Sequence, residues 1–294
     1  MSKRWLWLRV LLRVLLSAVF LFSAAAKLLA IDQFELYVYS FGFFPLNVSF
    51  VLARLCIGVE LAIGVMIAVG WFPKLVRLCT LGMLLFFTLF LCYAALVGRS
   101  DSCQCFGQMA DLPPAASLLK NALLIAVVLL YYKLHLAHNE SRTGRRGLRV
   151  VLTVLLTLAA LAVPFIVSVP DCWMFGRSNE LYNQGALEEA ISVDGALAYS
   201  QAGEGRCVLA FVTPGCPYCR MARQKLGSIA ERNHLDTTGF IYVEPADITD
   251  SLFLQITYGA RPLVLLLEDG QVVATYHYRN IDESEIAAFL RCEE

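Results

Sequence analysis

Apolar residues run in five long blocks through the first 170 positions, at 8–30, 49–71, 75–98, 115–136 and 148–169. Polar residues gather at the joints. Each block reaches the roughly 20 residues that a helix needs to cross a hydrocarbon core about 30 Å thick. The pattern predicts five membrane-spanning helices. The first block has the basic start and small-residue end (Ala24, Ala25, Ala26) of a signal peptide. Arg13 interrupts it and four more blocks follow, so a retained helix is expected. Beyond residue 170 the long blocks stop. Shorter runs predict a helix at 186–201, a strand at 206–213, a helix at 217–233, a strand at 238–244, a short helix at 249–258, and strands at 262–268 and 271–278. Asp269-Gly270 is a hairpin turn signal between the last two strands. Asp282 followed by Glu285 reads as a capping box for a final helix reaching about 292. The expected architecture is a membrane α-helical bundle followed by a mixed α/β domain. A four-helix core occupies 1–138, a loop and fifth transmembrane helix 139–170, and the α/β domain 171–294.

Composition agrees. The chain has 294 residues, 58% hydrophobic and 16% charged, against about 45–50% apolar and about 25% charged in a soluble domain. A disordered or nucleic-acid-binding chain is excluded on that ground. The formal net charge of zero hides an asymmetry: residues 1–170 carry +9 and residues 171–294 carry −9. The positive charge of the first half is concentrated. Lys3, Arg4, Arg9 and Arg13 flank the start of span one, Lys74 and Arg77 lie between spans two and three, and Lys133, Arg142, Arg145, Arg146 and Arg149 crowd the joint between spans four and five. By the positive-inside rule these share the cytoplasmic face. The loops 31–48 and 99–114, and everything after 170, then face outward, which in a bacterial inner membrane means the periplasm.

Cysteine carries the candidate chemistry. Of ten cysteines, Cys56, Cys79 and Cys92 fall inside spans, and Cys103, Cys105, Cys172, Cys207, Cys216, Cys219 and Cys292 fall on the expected outer side. An oxidising compartment permits disulfide chemistry there. Cys216-Pro217-Tyr218-Cys219 follows an apolar strand and opens a helix. Amides at a helix N-terminus stabilise a thiolate on the first cysteine, and the second, one turn on, can resolve a mixed disulfide. The alternatives are a structural disulfide or half a zinc site. Zinc would want a second Cys or His pair, and the four histidines are scattered, so no metal is expected. Cys103-Gln104-Cys105 lies on the outer loop after span three. Two cysteines at i and i+2 close only a tight ring, and strained disulfides are more oxidising; the alternatives are a structural pair or two unrelated cysteines.

The second half resembles the thioredoxin superfamily over about 180–294, through Val208–Val212, Thr213-Pro214-Gly215, the CPYC dithiol and Gly259-Ala260-Arg261-Pro262. That resemblance implies a cis proline at Pro262 lying against the dithiol, offering a backbone edge to a substrate strand. Two positions depart from the pattern. Ala210 stands where thioredoxins carry a buried aspartate, and Arg261 replaces a small or β-branched residue before the proline. The arginine is expected to favour a Cys216 thiolate and to influence partner choice. The first half, over about 8–136, resembles the DoxX-like superfamily and within it the MauE family. The matching residues are Phe22-Ser23-Ala24 with Lys27, Glu60-Leu61-Ala62-Ile63-Gly64, and Cys103-Gln104-Cys105-Phe106-Gly107. MauE of methylamine utilisation works with a separate thioredoxin-like partner. The resemblance therefore implies that two cooperating units are fused in one chain.

Three ionisable residues of the apolar blocks are candidates for function: Glu60 in span two, Arg54 nearer its outer end, and Lys27 near the outer end of span one. An intramembrane charge is a functional hypothesis by default, here proton handling or quinone headgroup binding. The alternative is a structural ion pair, with Lys27 and Arg54 snorkelling outward. The expected function is a membrane thiol–disulfide oxidoreductase. Electrons would pass between Cys216/Cys219 and Cys103/Cys105, and on to quinone as cofactor. The expected partners are exported thiol-containing client proteins and the membrane quinone pool, with no nucleic acid. The competing readings are a relay bringing reductant outward, a non-enzymatic assembly factor, and a quinol-oxidase subunit.

Overall fold

The computed structural model describes residues 3–97, 114–136, 146–169, 181–192, 197, 201–203 and 205–291. Two compact units emerge, one formed by 1–37 with 51–169 and the other by 38–50 with 170–294.

The first unit is helical. It contains α1 (Lys3–Leu29), α2 (Ile31–Tyr39), α3 (Leu46–Val69), α4 (Pro73–Leu96), α5 (Pro114–Leu136) and α6 (Arg146–Val167). Five of these, all but α2, are long and apolar enough to cross a membrane, matching the five expected spans. The short α2 falls where the sequence suggests an aromatic-rich loop. α1, α3, α4 and α5 share one core of Leu16, Phe20, Ile63, Met66, Leu84, Val128, Tyr131 and Tyr132. Their outward faces carry leucines in the open, such as Leu78 at 70% exposure, as a lipid-facing surface requires. The most apolar stretch of α6 is the least buried of the five, consistent with a fifth helix added to a four-helix core. α1 and α3 approach closely at Gly64, where an added Cβ would lie 2.9 Å from the Leu21 side chain. Ser17 Oγ donates to the Gly64 carbonyl there at 3.0 Å.

The second unit holds a four-stranded sheet in the order β2-β1-β3-β4. Its strands are β1 (Arg206–Phe211), β2 (Phe240–Val243), β3 (Leu263–Glu268) and β4 (Gln271–Tyr276). β1 runs parallel to β2 and antiparallel to β3. The helices are α7 (Gln184–Ile191), α8 (Pro217–Arg232), α9 (Asp250–Thr257) and α10 (Glu283–Arg291). Side chains alternate across a strand, and both alternating sets of β1 and β3 are buried, so the central strands are covered on both faces. Leu187, Leu209, Phe211, Phe253, Ile256 and Leu265 fill one side, and α10 lies against β1 and α8. The expected turn at Asp269-Gly270 is present, with both residues at positive φ of 50° and 79°, as a type I′ hairpin demands. Asp282 caps α10, its Oδ1 accepting from the amides of Ser284 and Glu285. The helix expected over 186–201 ends at Ile191, with Ser192 as its C-cap. The Ser-Val-Asp-Gly run that follows is poor in helix formers.

The 38–50 segment packs within this second unit. Leu46 N–H donates to Glu283 Oε2 at 3.1 Å, Arg232 donates to the Phe44 carbonyl, and Arg232 pairs with Glu283 at 3.1 Å. The Arg232 guanidinium lies 5.5 Å over the Tyr39 ring. Within this segment, read from the sequence as an outward-facing loop, Tyr39 is buried, whereas Phe43 and Phe44 are exposed.

Candidate functional sites

The dithiol is built by the end of the central strand. After β1 the chain leaves through Val212, whose N–H reaches the Val243 carbonyl at 2.9 Å. Gly215 turns it at φ 79°, a conformation that glycine adopts without strain. Cys216 then sits in extended conformation as the N-cap of α8, with Pro217 in the first turn, where the missing N–H costs nothing. The Cys216 sulfur accepts the Cys219 N–H at 3.3 Å. Cys216 is half-buried and Cys219 is buried, and neither is in a disulfide. Burial, first, and the hydrogen bond with Cys216 raise the Cys219 thiol to about 11, against smaller opposing effects of the Thr213 backbone and the Arg261 charge. The two sulfurs therefore differ: one is reachable at the helix end, and the other is shielded and held as a thiol.

The pairing of Leu263 with Phe211 brings the start of β3 beside the strand end from which the dithiol springs. The Arg261–Pro262 peptide is cis. Pro262 is buried and Arg261 exposed. Tyr218, inside the motif, stacks on Tyr278 with centroids 4.9 Å apart. Ala210 is buried, so no carboxylate lies at that point of β1. Lys225, also buried, donates to the Tyr278 carbonyl at 2.9 Å. Cys207 is buried on β1, its thiol raised to about 11 by burial alone. Cys103 and Cys105, like Cys172 and Cys292, lie outside the described residues. Among the described residues no group of three His, Cys, Asp or Glu could hold a metal ion.

A second polar site lies within the helical unit. Lys27 Nζ and Glu60 Oε2 meet at 2.6 Å, with both side chains under a tenth exposed. Lys27 also donates to Ser23 Oγ, one turn back, at 3.3 Å, and lies 5.0 Å from the Phe87 ring centre. Arg54 makes a separate cluster. It pairs with Glu35, donates from Nε to the Ser168 carbonyl at 2.6 Å, and from Nη2 to the Val169 carbonyl at 3.1 Å. The alternative of a structural ion pair is met between Lys27 and Glu60, but its outward snorkelling is not, since Lys27 and Arg54 are both buried, Arg54 to 1% exposure. A cation supplied with a buried carboxylate and carbonyls gains nothing by reaching outward. Sequence reasoning missed Glu35 because its segment reads as a loop; α2 turns it toward Arg54. It also missed Asn121, which is 3% exposed on α5. A buried amide in an apolar span is the signal that could have found it. Lys27, Glu60 and Asn121 line one small cavity together with Ser23, Phe87 and Lys120.

Residues 5–134 match the family model described as methylamine utilisation protein MauE. This covers α1 to α5 and every residue of the Lys27–Glu60 cavity, and stops short of the dithiol unit. The chain is also similar to Protein TlpB of Flavobacterium psychrophilum, at 26% identity over 268 residues, covering 76% of this chain and 72% of that one. No solved structure matches the chain.

Proposed function

We propose that the chain is a membrane thiol–disulfide oxidoreductase whose outer unit is thioredoxin-like. The carrying observation is the asymmetric dithiol: Cys216 caps α8 and is reachable, while Cys219 is buried one turn behind it. In the oxidising direction a client thiolate attacks Cys216 of the Cys216–Cys219 disulfide. A mixed disulfide forms, and Cys219 leaves with the bonding electron pair. The client's second thiolate then attacks the mixed disulfide and releases Cys216. The client loses two electrons and gains a disulfide, and the pair becomes a dithiol. Cys103/Cys105 is the proposed oxidant of that dithiol, and a bilayer-dissolved quinone would supply a terminal acceptor of two electrons and two protons. The fit of the chain to a quinone rests on the buried Lys27–Glu60 pair and its cavity. The charge asymmetry supports a cytoplasmic N-terminus and a periplasmic outer unit, so the proposed clients are exported thiol proteins. Pro262 and Arg261 are the proposed client-binding residues.

The test is to trap clients with Cys219→Ala. Mixed disulfides through Cys216 are expected to accumulate, and to vanish in the Cys216→Ala/Cys219→Ala double variant. Adducts that persist without Cys216 would overturn the assignment. If the Cys216/Cys219 pair stays oxidised in cells lacking Cys103 and Cys105, the relay half fails.

A further inference from the structure

Resting on that reading, we infer that the cavity among α1, α3, α4 and α5 receives the carbonyl end of a quinone, with Lys27 and Asn121 as the hydrogen-bond donors. Three side chains with strong polar demands, Lys27, Glu60 and Asn121, are each at most 5% exposed. They lie on helices apolar enough to span a membrane. Polar groups in such a setting normally close on one another. Lys27 and Glu60 do so at 2.6 Å, yet all three also border free space, about 30 Å3 of it. That is room for about two water-sized groups. It admits a carbonyl oxygen and excludes a ring, so the occupant enters by a polar tip.

The donors have capacity left. An ammonium has three N–H bonds; Lys27 directs two of them, to Glu60 and Ser23. Asn121 uses one amide N–H on Thr88 Oγ1, at 3.4 Å, and Thr88 in turn donates to the Leu84 carbonyl. Ser23 and Lys120 also line the cavity, and the rest of the wall is apolar, with Phe20, Leu84, Phe87 and Leu124 among it. A few convergent polar groups beside an apolar and aromatic wall are what a lipid-soluble carbonyl compound requires. Water satisfies the donors equally well but gives no reason for the aromatic wall. Arg54 is excluded from this role. Its guanidinium is directed at Glu35, Ser168 and Val169. In this site Lys27 Nζ directs an N–H at the incoming oxygen, and the contact with Glu60 holds Nζ in place. The electrons come from a dithiol of the chain, which closes to a disulfide as it gives up two electrons and two protons.

The experiment titrates ubiquinone-1 into the full-length protein in phosphatidylethanolamine/phosphatidylglycerol nanodiscs, with binding followed by calorimetry. Saturable one-to-one binding is expected in the wild type. Asn121→Leu should weaken it at least tenfold, and Leu124→Trp, whose larger side chain crowds the cavity wall, should abolish it. Leu124→Trp decides the matter if Asn121→Leu fails to fold. Absence of saturable binding in the wild type, or wild-type affinity in a folded Leu124→Trp, overturns the site. Thiol–disulfide exchange at Cys216, measured in the same nanodiscs without quinone, separates the two readings. If exchange persists while quinone does not bind, this inference alone falls. If quinone binds while exchange is absent, the oxidoreductase reading falls and the pocket stands.

Discussion

The helical unit and the sheet unit treat their reactive groups in opposite ways. In the helical unit two intramembrane cations are buried and matched: Lys27 with Glu60, Arg54 with Glu35. In the sheet unit the ion pairs Arg206–Glu268 and Arg223–Glu244 lie on the wet surface with both partners about a third exposed or more, and contribute little. There the group that matters is a half-exposed sulfur at a helix end. The lesson concerns solvent. Lipid cannot stabilise a lone charge, so pairing becomes a condition of folding. Water can, so exposure in the sheet unit is available for chemistry.

The contrast breaks first at the buried pairs. Lys27→Met alone should destabilise the helical unit by about 3–5 kcal/mol, because the Glu60 carboxyl is left buried without its partner. Lys27→Met/Glu60→Leu should recover most of that loss. Thermal denaturation in detergent measures both, and equal stability of the single and double variants would show that lipid or water reaches the pair. Next comes the α1–α3 contact. Gly64→Leu must displace Leu21, an overpacking that costs about 1–3 kcal/mol, read in the same melts. Third is the sulfur asymmetry. With its thiol raised to about 11, Cys219 should alkylate about tenfold faster per pH unit until that value, because only the thiolate reacts. Site-resolved mass spectrometry checks this, and a plateau near pH 8 would contradict its burial. The raised value also means that the folded unit keeps a proton that the unfolded chain releases above an ordinary thiol value of about 8.5. The stability associated with Cys219 is complete below that pH and declines as pH rises toward 11. The smallest effect is Asp282→Ala, which removes the cap of α10 at a cost of about 1 kcal/mol. It should lower the melting point of the outer unit slightly and leave the helical unit unchanged.

Periodicity was enough to place the five long helices and the strands, because spans and sheet strands are written in consecutive residues. The dithiol was legible for the same reason, since four adjacent residues carry it. Partnership was less so. Glu60 stood out as an ionisable residue in a span, but Lys27 lies 33 positions away, and only the packing of α1 on α3 joins them. Glu35 and Arg54 meet because nine residues read as a loop coil into α2. Asn121 is a modest residue on an apolar helix. Its neighbours across the cavity, not its own sequence, give it significance.

Ala210 has one further consequence. Burial is the first influence on the Cys219 thiol, followed by the Cys216 sulfur, the Thr213 backbone and the Arg261 cation. None of these is a carboxylate, and Ala210 brings only a methyl group to β1. In the proposed thiol–disulfide cycle the Cys219 proton would then be exchanged with solvent at the dithiol itself, and slower exchange in heavy water than in ordinary water would be its isotopic signature.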